Sequence, residues 1–420
     1  MLGLGAMAKA EGGRPAMHDG SWLRRCGAEF RLTMATSWLA PDGWQDRQDA
    51  AIREALDAGI DWAEYLRLVD RHRTPALSWA ALKRVSGLDV AEMARQALQK
   101  RSQACQMHAV RHGLLLADVL KSFQSDGIPV MLMKGPALSY EMYGDIGLRH
   151  SKDLDAMVAP MDIPRARACL EAMGWVPDAK SFALTARQWE AALRHDHHTV
   201  YVHPKRRCSL ELHWRNQWDS AEQAARRWAR SIETQWQGAA YHAMSPVDQV
   251  LYLCSHGSDH AWFRAKWLGD LARLQAADQV DWEACLAEAQ ATDQERPVRL
   301  CLELLQEAYG LPLPAVAGRG KRLPTFLVER SVFELEASRE PELLAPMQRV
   351  WRQFHMARYL RLLRPQTSWG KRFSDLGYSQ VDFKVLPLPD KLFWAYVPLR
   401  PFLWAWRRLI RGRMAEPAGK

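Results

Sequence analysis

The hydrophobic period changes twice along this chain, and those changes limit the folds open to it. Across residues 49–121, Ile52, Leu56, Ile60, Leu66, Val69, Ala94 and Leu98 recur at steps of three and four, the spacing of amphipathic helices. Gly59, Thr74-Pro75 and Ser86-Gly87 interrupt that run and separate successive helices. After the turn at residues 125–129 (SDGIP) the segments become short and apolar or alternating: 130–133 (VMLM), 153–158 (DLDAMV), 199–202 (TVYV) and 209–214 (SLELHW). These read as strands. Between them, 162–174 reads as a helix with Asp162 as N-cap, Pro164 in the first turn and Gly174 at the end. From 246 to about 309 the helical period returns, with Leu251, Leu268, Leu271 and Leu274 on one side.

The expected architecture is α+β, a small mixed sheet flanked by helical regions. Residues 1–20 form an expected flexible tail, 21–124 a helical N-terminal region, 125–240 the core, and 241–420 a helical C-terminal region with a Pro- and aromatic-rich tail. A composition of 48% hydrophobic and 25% charged residues suits an ordinary globular protein of 420 residues. The N-terminus has no charged lead ahead of an apolar stretch, so no secretory signal is expected. No apolar run is long enough to span a bilayer. The seven cysteines are scattered singly, as in a reducing compartment, and the expected location is the cytoplasm. A net charge of +9 favours anionic partners without choosing among them.

Chemistry concentrates at Asp153 and Asp155. On a strand, residues two apart share a face, so both carboxylates converge on one point. With no basic residue between them they repel unless a cation joins them, and a hard divalent ion is the natural occupant. Removing either acid is therefore expected to relieve repulsion and leave the fold intact. Glu211 lies on a later strand among leucines and joins the cluster if that strand pairs beside the first. Three acids around Mg²⁺ (or Mn²⁺) suit attack on a phosphate.

The stretch MLMKGPALSYEMYGDIGLRHSKDLDAMV resembles the signature of the uncharacterised nucleotidyltransferase family, part of the polymerase-β-like superfamily and found in biosynthetic gene clusters. SLELHW, LYLCSHGSDHAWFRAKWLGDLARL and LPLPDKLFWAYVPLRP are similar to its later motifs. The resemblance implies a polymerase-β-like core in which Asp153, Asp155 and Glu211 bind metal. Glu211 would be a metal ligand or the base for the acceptor. It places Lys134 and Gly135 in the loop that cradles the triphosphate, with Arg149 facing the same phosphates. The usual Gly-Ser or Gly-Gly pair is Gly135-Pro136 here, and a proline offers no N–H, so Lys134 is expected to supply the attraction.

His213 shares a strand face with Glu211 and is expected as a pocket neighbour. His256 and His260, four apart on a helix, and Asp270 beyond them are further candidates for one wall, as packing or substrate-facing groups rather than a zinc site. His195, His197, His198 and His203 read as ordinary polar residues at a helix-to-strand junction. The aromatic tail with Arg407, Arg408 and Arg411 is expected to dock on the protein body, peripheral membrane contact being a minority reading. The expected activity moves a nucleoside monophosphate from a nucleoside triphosphate to an unidentified acceptor (small molecule, sugar, peptide or protein), releasing pyrophosphate. The alternative is a catalytically silent nucleotide-binding or scaffold protein. Nucleic acid ranks last, since no basic-aromatic motif of a recognised module occurs.

Overall fold

The computed structural model describes residues 22–178, 184–319, 322–337, 343–366 and 380–409. The expected tail at 1–20 and Arg411 lie outside these. The N-terminal helices are α1 (Ala28–Ala35), α2 (Gln45–Asp57), α3 (Trp62–His72), α4 (Pro75–Arg84) and the long α5 (Glu92–Ser125). Their breaks fall at the Gly, Thr-Pro and Ser-Gly positions, because each of those residues leaves helical geometry or cannot continue it. Asp61 caps α3 by accepting hydrogen bonds from the amides of Ala63 and Glu64, at 2.9 and 3.3 Å.

Gly127, at φ +61°, turns the chain out of α5 into the sheet. The core then runs β1 (Met131–Leu132), α6 (Pro136–Tyr143), β2 (Leu154–Met157), α7 (Ile163–Ala172), β3 (Val176–Pro177), α8 (Ala186–His195), β4 (His198–His203), β5 (Cys208–His213), α9 (Ala221–Arg230), β6 (Ile232–Trp236) and β7 (Ala239–Ala243). Among the described residues the seven strands form one sheet in the order β3-β4-β5-β2-β1-β7-β6. It is mixed: β1 is antiparallel to β2 but parallel to β7, and β2 is parallel to β5. Asp162 precedes α7 as expected but makes no capping bond; its carboxylate instead accepts from Arg165 at 3.0 Å.

Each face of the sheet has its own cover. Leu132, Leu154, Ala156, Leu210 and Leu212 pack with Leu116, Leu120 and Phe123 of α5 and with Ile163 and Leu170 of α7. Met131, Met133 and Met157, the alternate residues, pack with the C-terminal helices α10 (Pro246–Asp259), α11 (Ala265–Ala276), α12 (Trp282–Ala291) and α13 (Glu295–Tyr309). Further out lie α14 (Thr325–Glu336), α15 (Pro346–Leu363), α16 (Gln380–Val385) and α17 (Tyr396–Leu409). The tail docks on the body through Phe383, Phe393 and Tyr396, which bury against Ala191 of α8. No helix among the described residues is long and apolar enough to cross a membrane.

Candidate active site

Asp155 of β2 stands opposite Glu211 of β5 in the parallel ladder, and Met157 stands opposite His213. Alternation then sorts the side chains. The flanking leucines and Ala156 enter the core beneath α5 and α7, which sends Asp155, Glu211 and His213 to the other face, under the C-terminal helices. β5 lies between β4 and β2, so Glu211 is on an interior strand. A cleft of about 460 Å³ opens between this face and the helices α10 and α11.

The expected acids meet there, with one difference in arrangement. Ligand atoms of Asp155, Glu211 and His213 all lie within 4.8 Å of one another. Asp153 also lines the cleft but is outside that trio. The acids do not face open solvent: every residue of β2 is buried and Asp155 is only 3% exposed. The helices roof that face. No basic residue stands between the two acids in sequence, but one reaches them in space: Lys134 follows β1, which pairs beside β2, and its Nζ lies 3.3 Å from Asp155 Oδ1. The Tyr252 ring sits 5.5 Å from the same ammonium.

Burial and charge divide the protonation states. Burial drives the Asp155 carboxyl up, but Lys134 and His213 outweigh it and hold it below the ordinary carboxylate range. Burial, then the charges of Asp155 and Glu211, push Asp153 up to about 6. For His213 burial opposes charge, yet the two carboxylates raise its pKa. Burial also pushes Glu211 up, and His213 brings it below its usual value.

Lys134 and His213 meet the acids as described; the remaining candidates are placed as follows. Arg149 lines the cleft, but its Nε is held by both carboxylate oxygens of Asp270 on α11, at 3.0 and 2.9 Å. Only Nη2 is a buried nitrogen without a hydrogen-bond partner. Asp270 is fully buried behind that arginine. Gly135 caps α6 at φ +83°, a conformation side chains resist, and Pro136 takes the first helical position, where no N–H is needed. His256 and His260 line the cleft from α10 and its end, each packed on Trp267 at ring separations of 4.9 and 5.3 Å. Burial first, and Lys134 next, keeps both imidazoles neutral, with His260 near 4.

The sequence reading missed His197 and His198. Both line the cleft, and His198 pairs across the hairpin with His213, the rings 5.0 Å apart and stacked. A signal was available. Counting back from the turn at 204–207 puts His203 opposite Cys208 and therefore His198 opposite His213. Tyr252, Trp218 and Lys266, which also face the cleft, carried no such mark.

The donor set suits a cation. Both carboxylate oxygens of Asp155 and both ring nitrogens of His213 are buried without a hydrogen-bond partner. Buried polar atoms in that state are costly, and a divalent ion would satisfy them. The trio could therefore hold a metal.

Residues 58–310, well over half of the chain, match the model of a family described as uncharacterised nucleotidyltransferase. No curated protein and no solved structure matches. The matched span holds the whole sheet, α10, α11 and every acid of the cleft. On that match, the chain belongs to the uncharacterised nucleotidyltransferase family and is a transferase of nucleotidyl groups.

Proposed function

We propose that the cleft transfers a nucleoside monophosphate from a nucleoside triphosphate to a nucleophilic group on a second substrate, with Asp153, Asp155 and Glu211 as the working acids. One observation carries the reading. The parallel register sets Asp155 beside Glu211 on the sheet face that the cleft opens onto, with both Asp155 oxygens buried and outside any hydrogen bond of good geometry. Mg²⁺ or Mn²⁺ bound there would neutralise phosphate charge.

The chain's own groups do the rest. Lys134, a fixed cation beside Asp155, attracts the phosphates, and Arg149 Nη2 offers a further donor. An acceptor hydroxyl attacks the α-phosphorus in line. The new P–O bond forms as the bond to the pyrophosphate oxygen breaks, and a Glu211 carboxylate oxygen receives the hydroxyl proton. His256, kept neutral, offers an uncharged hydrogen-bonding edge to the substrates.

The test is a screen of purified protein with each labelled triphosphate and Mg²⁺ or Mn²⁺, read as label transferred and pyrophosphate released. Divalent-dependent triphosphate binding by calorimetry, together with turnover, is the expected result. Absence of nucleotide binding with either ion rejects the reading. A catalytically silent nucleotide-binding or scaffold member is the second reading. It has the Lys134–Asp155 pair in its favour, since an internal ammonium already answers part of the acid charge. Binding without turnover would select it.

A further inference from the structure

We propose that His213 is itself a metal ligand, completing a site with Asp155 and Glu211 that prefers a first-row transition ion such as Mn²⁺, which accepts imidazole more readily, to Mg²⁺. This rests on the reading of the cleft as a metal-assisted transferase and adds the identity of the third ligand.

His213 Nε2 lies 3.5 Å from Asp155 Oδ1 and 3.3 Å from Glu211 Oε2. Ligands about 2.0–2.2 Å from one ion stand about 3.0–3.5 Å apart in tetrahedral or octahedral order, so these separations suit neighbours in one coordination shell. Neither ring nitrogen nor either Asp155 oxygen has a hydrogen-bond partner, although His213 is 5% exposed and Asp155 3%. A protonated imidazolium bridging the two acids is the simpler account. It would place both N–H groups in hydrogen bonds of good geometry, whereas here Nε2 stands 3.5 and 3.3 Å from the two carboxylates without well-formed hydrogen-bond geometry and Nδ1 has no hydrogen-bond partner.

The ring is also oriented in advance. His213 sits on an interior strand, fixed by the register that sets it opposite Met157, and His198 stacks on it from β4. No acceptor reaches Nδ1, so stacking rather than a hydrogen bond holds the ring plane. The consequence is selectivity. Mg²⁺ strongly prefers oxygen ligands, whereas an imidazole with two carboxylates is a mixed set that softer divalent ions accept.

The experiment uses the full chain with Mn²⁺ or Mg²⁺ alone, then with triphosphate. Calorimetry is expected to show Mn²⁺ binding at least about tenfold tighter than Mg²⁺, the scale on which one ligand changes affinity. Electron spin-echo spectroscopy of the Mn²⁺-loaded wild type is expected to show nitrogen modulation from a coordinated imidazole. His213→Gln should lose that modulation and most of the Mn²⁺ advantage while Mg²⁺ affinity stays within about threefold. If His213→Gln fails to fold, His213→Asn, which also removes the imidazole, decides whether the modulation comes from this ring or from His197, His198, His256 or His260 of the same cleft. Mn²⁺ bound at this cleft without nitrogen modulation, or equal affinity for both ions, overturns the proposal and leaves the transferase reading standing. Nitrogen modulation with no nucleotide binding supports the ligand assignment and rejects the transferase reading.

Discussion

Lys134 Nζ and Asp155 Oδ1 form an ion pair of 3.3 Å in which the side chains are 14% and 1% exposed. Lys134 follows the short strand β1, and Asp155 lies on its antiparallel neighbour β2, so the pairing of β1 with β2 brings the two together. The ammonium thereby reverses the stability argument for one of the two aspartates. Like-charge repulsion is not what Asp155 experiences most; after burial, the largest influence on it is Lys134.

Asp155→Ala is therefore expected to destabilise the metal-free protein. It leaves Lys134 buried without its nearest partner, and truncating one side of a buried pair costs roughly 3 kcal/mol or more. Combining it with Lys134→Met should recover much of that loss. Urea denaturation of both single variants and the double variant checks this, and an Asp155→Ala protein as stable as wild type rejects the pairing.

Asp153 should behave in the opposite sense. Its carboxyl is raised from 3.8 to about 6 by burial and by Asp155 and Glu211. Between those two values the folded state binds more protons than the unfolded chain, so stability falls as pH rises across the window. The cost is complete above about 6 and is on the order of 2–3 kcal/mol. Asp153→Asn should flatten the pH dependence of the urea midpoint between pH 4 and 7, and an unchanged slope would show that this carboxyl titrates normally.

Much of this was legible in the residues. Helix breaks at Gly59 and Thr74-Pro75 follow from backbone geometry, and the two-residue periodicity of LELH identifies the face that carries Glu211 and His213. What linear sequence does not display is which strands become neighbours. Asp155 meets Glu211 because β5 inserts beside β2, and Lys134 arrives because β1 lies on the other side. The Arg149–Asp270 contact joins positions 121 residues apart, so no local pattern announces it. His198 is the intermediate case, hidden by its polar surroundings but recoverable from hairpin register.

Arg149 and Asp270 yield a separate prediction, because they tie the loop before β2 to α11. Both side chains are almost wholly buried, at 1% and 0% exposure. Arg149→Met strands the Asp270 carboxylate and should cost roughly 3–5 kcal/mol. Arg149→Met with Asp270→Leu removes both charges and should restore most of the stability. If the double variant folds but binds triphosphate at least about tenfold more weakly than wild type, Arg149 also contacts the phosphates; unchanged affinity confines it to holding the loop.

Glu211 should matter for rate more than for nucleotide affinity. Asp155 is buried and engaged by Lys134, whereas the Glu211 side chain is 28% exposed at the cleft and is the more accessible acid of the trio. An acceptor entering from solvent therefore meets Glu211 first. Glu211→Gln keeps the volume and one neutral oxygen while removing the charge that accepts a proton. At saturating divalent ion, triphosphate affinity should change by less than about threefold, since Asp153, Asp155 and Lys134 remain. Single-turnover transfer should fall by about 10²–10⁴, the usual contribution of a positioned base. The variant should also lower the His213 pKa, because one of the two carboxylates that raise it is lost, and NMR titration of the ring gives a readout independent of turnover. An unchanged transfer rate would remove Glu211 from the chemistry, and a collapse of triphosphate affinity at saturating ion would make it a nucleotide-holding group instead.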